Sequence, residues 1–279
     1  MPEMTQEEIA RLVELSEARA IDAWFRALPA DTAEEWGVRL ESVGSATAVR
    51  VVRFPMPLLN RVVGLGIDEP ATEAMVDALV ELYRPANVPF AVQVSPAARP
   101  AKLTEWLEAR GIRRGRSWAK FYRDVEPPPD IPTSLRIQQV GSEQAVAYTH
   151  TFLAGFEMPV EMGPLVTGAV GRTGWHHYLA YAGDVPVSAA ALYVAGDVGC
   201  LIGAATLPDY RRRGGQGALM ARRIRDAAAL GCRWLVTETG EDTAENPNPS
   251  YHNMVRTGFK LAYLRPNYVH HPSPEALQQ

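Results

Sequence analysis

The sequence has few cysteines, no excess of positive charge and no long hydrophobic run. Only two of its 279 residues are cysteines, Cys200 and Cys232, and their spacing fits neither a metal site nor a disulfide framework. No apolar stretch approaches the roughly 20 residues of a membrane span, and the N-terminus is acidic and amphipathic, unlike a signal peptide. These absences predict a cytoplasmic protein with no membrane partner and no bound metal.

The net charge also limits the partners. It is −4 at pH 7, which argues against a general electrostatic attraction to nucleic acid. Any site for an anion must therefore be local. Nucleic acid is not an expected partner, and the expected oligomeric state is a monomer or a homodimer.

A proline-rich segment divides the chain. At 279 residues the chain is about twice the usual domain length of roughly 150 residues. The stretch "VEPPPDIP" places consecutive prolines where neither a helix nor a sheet can use them. We predict one domain over residues 1–125, a linker over 126–132 and a second domain over 133–279.

The two halves have the same order of elements. Each contains a helix, a strand, a second helix, a glycine-apolar dipeptide and a strand, with Gly111-Ile112 in the first half matching Gly258-Phe259 in the second. This order indicates a diverged tandem repeat of one mixed α/β fold, or else two unrelated α/β domains that agree by coincidence. At the end of the chain, "FKLAYL" and "NYVHH" are predicted as two separate strands. Earlier in the second half, "HHYLAYA", "PVSAAALYVA" and "GCLIGAATL" are predicted to form an antiparallel meander, with tight turns at Gly183-Asp184 and Gly196-Asp197.

Three arginines precede a glycine cluster in "PDYRRRGGQGALM". A nucleotide P-loop would need a Lys-Ser/Thr pair after Gly217, and a dinucleotide fingerprint would need glycine where Met220 stands. The remaining pattern is a basic turn that opens a helix, whose first N–H groups have no intrahelical partners and can hold phosphate oxygens. We predict a pyrophosphate site; the alternative is the solvated start of an ordinary helix.

At these residues the chain resembles the GNAT-type acetyl-CoA-dependent N-acetyltransferases. Their pyrophosphate loop reads Gln/Arg-x-x-Gly-x-Gly/Ala, and the run from Arg211 to Gln216 matches it except at its last position. A second match is Asn253 before the dipeptide Gly258-Phe259. The resemblance covers about residues 135–271.

The resemblance implies a mixed α/β fold with two GNAT-like domains in tandem and acetyl-CoA as the co-substrate. It implies that the fourth and fifth strands are parallel and separate, so that amides near Thr206 and Leu207 hold the pantetheine arm. The expected cofactor-binding residues are Thr206, Leu207, Arg211, Arg212, Arg213, Gly214, Gly215, Gln216, Gly217, Ala218 and Asn253. The first half has Asp68 and Glu69 where phosphates would need cations, so we expect it to bind no acetyl-CoA.

The catalytic residues are less clear in the sequence. The fourth strand has no carboxylate, so Glu238 at the end of the fifth is the candidate base, although it could equally be a surface carboxylate. Met254 occupies the position where relatives often have a tyrosine acid, which leaves Tyr251 and His252 as candidates, with packing as the alternative role of Tyr251. For His176 and His177, an ordinary solvated histidine is a simpler interpretation than a catalytic one.

The resemblance implies transfer of an acetyl group to a primary amine of a small molecule or a protein. The loop between the first helix and second strand contains Glu157 and Glu161, which would favour a cationic amine, unless the loop is simply solvated. The alternative function is that of a non-catalytic sensor or scaffold that binds acetyl-CoA or CoA.

Overall fold

The computed structural model describes residues 4–272, which form two compact units. The first unit comprises the described parts of Met1–Asp22 and Ala262–Gln279 together with Ala30–Ala119, and the second comprises Ala23–Pro29 and Lys120–Leu261. This division differs from the predicted ranges 1–125 and 133–279, because the end of the chain joins the first unit. Residues 1–3 and 273–279 of those ranges lie outside the described part of the chain.

The first half of the chain contains four α-helices and five strands within the described residues. They are α1 (Gln6–Arg26), α2 (Ala30–Glu35), β1 (Arg39–Val43), β2 (Ala46–Arg50), β3 (Arg61–Val63), α3 (Glu73–Tyr83), β4 (Phe90–Gln93), α4 (Leu103–Ala109) and β5 (Arg113–Asp124). Thr72 begins α3 as its N-cap, because its side chain accepts a hydrogen bond from the Met75 amide. Gly111 ends α4 with a positive φ of 76°.

The second half repeats the alternation of helices and strands. Its elements are β6 (Arg136–Val140), α5 (Ala145–Phe156), α6 (Gly163–Gly168), β7 (Trp175–Ala182), β8 (Val185–Ala195), β9 (Val198–Thr206), α7 (Gly215–Ala229), β10 (Trp234–Gly240), α8 (Pro249–Arg256) and β11 (Lys260–His270). Gly258 lies between α8 and β11 with a φ of 86°, as Gly111 does before β5.

In the first unit the strand order is β1-β2-β3-β4-β11-β5, so the last strand of the chain lies beside β4. The two strands are antiparallel, and Gln93 Nε2 donates to Asn267 Oδ1 at 3.0 Å. The prediction of two strands at the end of the chain is wrong. β11 continues through Pro266, whose carbonyl accepts a hydrogen bond from the Val94 amide at 3.1 Å, so the missing proline N–H does not interrupt the strand.

In the second unit the strand order is β5-β10-β9-β8-β7-β6. The strands β7, β8 and β9 are successively antiparallel, which confirms the predicted meander, and β6 pairs antiparallel with β7. Gly183 and Gly196 lie in its two tight turns with φ values of 62° and 61°, as predicted from their dipeptides with aspartate. None of the helices described between residues 4 and 272 is long and apolar enough to cross a membrane.

Helix α7 covers one face of this sheet, and successive side chains of each strand point alternately toward this face and away from it. A Cβ at Gly199 on β9 would lie 2.7 Å from Leu235 Cδ2 and 3.5 Å from Ala227 Cβ of α7. Leu235 therefore points toward α7. Because successive side chains of a strand point to opposite faces, Glu238 points to the face away from α7.

Candidate functional site

Strand β9 contains a β-bulge at Gly203. Ala204 pairs with Ala190 and Ile202 pairs with Ala191, which leaves Gly203 without an opposite residue on β8. Its φ is 46°, and a Cβ at this position would lie 2.6 Å from a ring carbon of Phe152 on α5. Only glycine fits beneath that ring in this conformation.

Strands β9 and β10 are parallel and separate after a short region of pairing. They pair from Val198 with Trp234 to Cys200 with Val236, and Thr237 Oγ1 then donates to the Leu201 carbonyl at 3.0 Å. Between residues 4 and 272, no further pairing joins the two strands, although β9 continues to Thr206. This confirms the prediction of parallel, separating strands.

The residues at the end of β9 are already hydrogen-bonded within the protein. Thr206 Oγ1 accepts from Ser188 Oγ at 2.9 Å, and the Leu207 amide donates to the Val187 carbonyl at 2.9 Å. The Leu207 carbonyl accepts from the Tyr210 amide at 2.9 Å. Leu207 therefore departs from its expected role, because its N–H extends the β8–β9 pairing and does not face a ligand.

The backbone N–H groups at the start of α7 are unpaired. Gly214 precedes the helix with a φ of 77°, and Arg212 also has a positive φ of 63°. From Arg212 to Gly217, no amide has a hydrogen-bond partner within the described chain, and the first paired one is that of Ala218, which donates to the Gly214 carbonyl at 2.9 Å. Ala218 thus has no amide for a ligand. Unpaired amides at the positive end of a helix dipole form an anion site.

The three arginines of the loop have different surroundings. Arg211 donates to the Thr206 carbonyl at 3.2 Å and lies 3.6 Å from a carboxylate oxygen of Glu157. The Arg213 guanidinium lies 4.9 Å from the ring centre of Tyr210. For Arg212, the described residues provide no partner, so its guanidinium is available to a ligand.

The glycines of the loop pack against the end of the predicted linker. A Cβ at Gly214 would lie 2.5 Å from the Pro132 carbonyl oxygen, and one at Gly217 would lie 3.0 Å from Ile131 Cγ2. The protein itself therefore requires small residues here, independently of a ligand. Sequence reasoning missed this cause, because it depends on a segment about 80 residues away.

Gln216 connects the loop to α8. Its Oε1 accepts from Asn253 Nδ2 at 2.6 Å, and its Nε2 donates to Ser250 Oγ at 2.9 Å. Asn253, an expected cofactor-binding residue, therefore uses its amide to hold Gln216. Shifted by one residue, the run from Arg212 to Gly217 matches the pattern Gln/Arg-x-x-Gly-x-Gly/Ala at every position.

Glu238 is ion-paired with a buried lysine that the sequence reasoning did not select. Lys120 Nζ lies 2.8 Å from Glu238 Oε2, and the two side chains are 2% and 20% exposed. The signal that could have found it is a lysine between the apolar residues Ala119 and Phe121 of a strand, since lysine is almost never buried without a partner.

The structure does not bring Glu238 and Tyr251 to the same face of the sheet. The Tyr251 ring contacts Phe121 edge-on, with the ring centres 4.9 Å apart. Phe121 and Lys120 are consecutive in β5 and point to opposite faces, so Tyr251 and the Lys120–Glu238 pair are on opposite sides. His252 is exposed on α8, where its Nε2 lies 3.3 Å from Asp242 Oδ2. The three expected catalytic residues therefore do not form one cluster.

The two histidines of β7 differ in exposure. His177 is buried, and its ring contacts that of Tyr148 edge-on at 4.6 Å. Burial, with a smaller contribution from His176, lowers the pKa of His177 to about 4. His176 is half-buried and lies 3.3 Å from Gln139 Nε2. No group of three or more His, Cys, Asp or Glu side chains that could hold a metal ion occurs between residues 4 and 272.

One family model matches the part of the chain that contains this site. Residues 147–243 match the family described as "Acetyltransferase (GNAT) domain". This range includes β9, the arginine-glycine loop, α7 and β10. Among the curated proteins, none matches the chain.

Solved structures show the same fold over nearly the whole chain. A GCN5-related N-acetyltransferase from Kribbella flavida has a TM-score of 0.61 at 18% identity, covering 93% of this chain and 97% of that one. A tandem GNAT protein from the clavulanic acid biosynthesis pathway has a TM-score of 0.59 at 15% identity, with the same coverages. A GCN5-related N-acetyltransferase from Sphaerobacter thermophilus has a TM-score of 0.60 at 12% identity, covering 95% of this chain and 92% of that one. The fold is that of tandem GNAT proteins.

Proposed function

We propose, because residues 147–243 match the GNAT acetyltransferase family, that this protein transfers an acetyl group from acetyl-CoA to a primary amine of a small molecule or a protein. The observation that carries the proposal is the run of unpaired N–H groups from Arg212 to Gly217 at the start of α7. Unpaired amides are costly unless solvent or a ligand satisfies them, and a pyrophosphate offers several oxygens at once.

The loop residues have distinct roles in this proposal. The amides from Arg212 to Gly217 would hold the pyrophosphate oxygens, and the free guanidinium of Arg212 would add a charge-assisted contact. Arg211 and Arg213 would fix the loop through Thr206 and Tyr210. The side chains of Gln216 and Asn253 would hold α8 against the loop and would not contact the ligand directly.

The gap between β9 and β10 is suited to an extended amide-containing arm. Beyond Leu201 and Thr237 the two strands no longer pair, and their backbone groups facing the gap can bond a ligand in place of a neighbouring strand. The thioester of acetyl-CoA supplies the activated acetyl group. The protein then has to accept a proton from the acceptor's ammonium group, so that the neutral amine can attack the thioester, and to exclude water from the gap.

Glu238 is the proposed base, acting on the face of the sheet opposite α7. Its partner Lys120 holds the carboxylate in place. Tyr251 and His252, on the other side, are proposed only as candidates for returning a proton to the thiolate. We propose no metal for this reaction, and the two cysteines, both free and buried, are compatible with a reducing cytoplasm.

The first unit differs from the GNAT domain at the corresponding helix. The start of α3 is capped by the Thr72 side chain, and the Ala71 amide donates to the Arg99 carbonyl at 2.7 Å. The carboxylates of Asp68 and Glu69 precede this helix and would repel a phosphate. We therefore propose that only the second half binds acetyl-CoA.

The second candidate is a protein that binds CoA without catalysis. The observation that favours it is the division of Glu238, Tyr251 and His252 between two sides of the sheet. In this arrangement the loop can bind CoA, but the three candidate catalytic residues do not share one site.

Calorimetric titration with acetyl-CoA, with ATP as the control nucleotide, tests the shared part of both functions. Thiol release measured over a panel of primary amines then separates them. Selective binding together with amine-dependent thiol release supports the transferase, and binding without release with any amine supports the sensor. The absence of binding would overturn both.

A further inference from the structure

We infer that Thr133 is a positioning residue that orients the anion-binding amides of the α7 loop. The inference rests on the proposed function and concerns the same site. Thr133 Oγ1 donates to the carbonyl of Arg213 at 2.8 Å, and the same oxygen accepts from the Leu135 amide at 3.1 Å. Because a carbonyl oxygen can only accept, the hydroxyl proton is directed at Arg213, while a lone pair of the same oxygen accepts from the Leu135 N–H.

The geometry of the peptide bond relates this contact to the direction of the next N–H group. In a trans peptide the C=O of one residue and the N–H of the next point in opposite directions. When Thr133 holds the Arg213 carbonyl, the N–H of Gly214 therefore points away from Thr133. This N–H is one of the unpaired amides of the anion site.

The neighbouring residues limit how far the loop can turn. Gly214 has a φ of 77°, and its Cα lies so close to Pro132 that a Cβ would come within 2.5 Å of the Pro132 carbonyl. On the next turn, Gly217 faces Ile131 in the same way. The backbone is thus packed against residues 131–133 on one side, and the Thr133 hydroxyl directs the Gly214 N–H to the opposite side.

If Thr133 contributed only to stability, its replacement would have a different effect on ligand binding. If Thr133 only stabilised the chain, its loss would change the unfolding free energy and leave the ligand specificity of the loop unaltered. A positioning role predicts an effect confined to ligands that contain the pyrophosphate. Acetyl-pantetheine carries the same thioester and lacks the pyrophosphate, so it discriminates between these roles.

The experiment compares three variants of the full chain. Thr133→Val removes the hydroxyl at nearly constant shape, and Thr133→Ser retains it. Thr104→Val is the matched control, since its hydroxyl is exposed and lies 3.5 Å from the Ala101 carbonyl, at the limit of a hydrogen bond. Kd is measured for CoA and for inorganic pyrophosphate, and KM and kcat are measured with acetyl-CoA and acetyl-pantetheine.

We expect Thr133→Val to raise Kd for CoA and pyrophosphate about five- to tenfold, as the loss of one directing hydrogen bond implies. KM for acetyl-CoA should rise by a similar factor with kcat unchanged, kcat/KM for acetyl-pantetheine should stay at the wild-type value, and Thr133→Ser should restore tight binding. Equal Kd values for wild type and Thr133→Val, or equal losses with both thioesters, would overturn the inference alone. Failure of the wild type to bind CoA would overturn the proposed function as well.

Discussion

Lys120 Nζ lies 2.8 Å from Glu238 Oε2, and this ion pair joins a buried strand residue to the candidate base. Removing one partner of a buried ion pair leaves the other charge in the protein interior without its counter-charge. The resulting loss of stability is larger than the net contribution of the pair itself. A single substitution at Glu238 therefore mixes a structural effect with any catalytic one, and the role of Glu238 has to be tested with its partner.

Glu238→Gln should lower the unfolding free energy by about 3 kcal/mol, because it removes the negative charge that lies 2.8 Å from the buried Lys120 ammonium. The double variant Lys120→Met/Glu238→Leu removes both charges and should recover most of that loss. Urea unfolding measures both. If Glu238 is the base, kcat/KM should remain low in the stable double variant; recovery of activity together with stability would show that the carboxylate is only structural.

Arg212→Ala should raise Kd for acetyl-CoA about tenfold or more, because this guanidinium is free to make a charge-assisted hydrogen bond. The effect should diminish at high salt, since the arginine is exposed. Arg84→Ala, which removes an exposed arginine paired with Glu81, is the control and should leave Kd unchanged. Titration calorimetry at two ionic strengths checks both, and equal Kd values for Arg212→Ala and wild type would contradict the assignment.

Gly214→Ala should destabilise the protein by about 2 kcal/mol and abolish tight CoA binding. Its φ of 77° is unfavourable for alanine, and the new methyl group would lie 2.5 Å from a backbone oxygen that cannot easily move. Gly141→Ala is the matched control, because Gly141 has an extended conformation and open space around it. A Gly214→Ala variant with wild-type Tm and Kd would show that the loop does not need this conformation.

Acid should destabilise the protein partly through His177. Its native pKa of about 4 is below the ordinary value of 6.5, so the unfolded chain binds a proton more readily. This contribution to stability is complete above pH 6.5 and is lost as the pH falls toward 4, by about 3 kcal/mol in total. Urea unfolding between pH 7 and pH 4 should show a weaker pH dependence in His177→Phe than in wild type, and identical slopes would contradict the assignment.

Tyr251→Phe should leave the protein stable, because the ring contact with Phe121 does not require the hydroxyl. If the hydroxyl returns a proton to the thiolate, kcat should fall at least about tenfold with little change in KM. Thiol release under saturating acetyl-CoA measures this. His252→Ala, made alongside, identifies the acid if kcat falls in that variant and not in Tyr251→Phe.

Much of the fold followed from local features of the sequence. The meander from β7 to β9 was predicted from three apolar runs separated by Gly-Asp dipeptides, and the start of α8 follows from Asn248, whose side chain caps it. The loop before α7 was predicted from the arginines and glycines that precede an apolar helical pattern, and its binding of an anion stays a prediction. These features depend on residues within a few positions of each other, so one sequence suffices to find them.

The tertiary structure decided what depends on residues distant in the chain. The continuation of β11 through Pro266, its place beside β4, the pairing of Lys120 with Glu238 and the separation of Glu238 from Tyr251 all require knowledge of which strands are neighbours. The contact of Thr133 with Arg213 joins residues 80 positions apart. Side-chain periodicity fixes which face of its own strand a residue occupies, whereas the neighbour across that face is determined only when the chain packs.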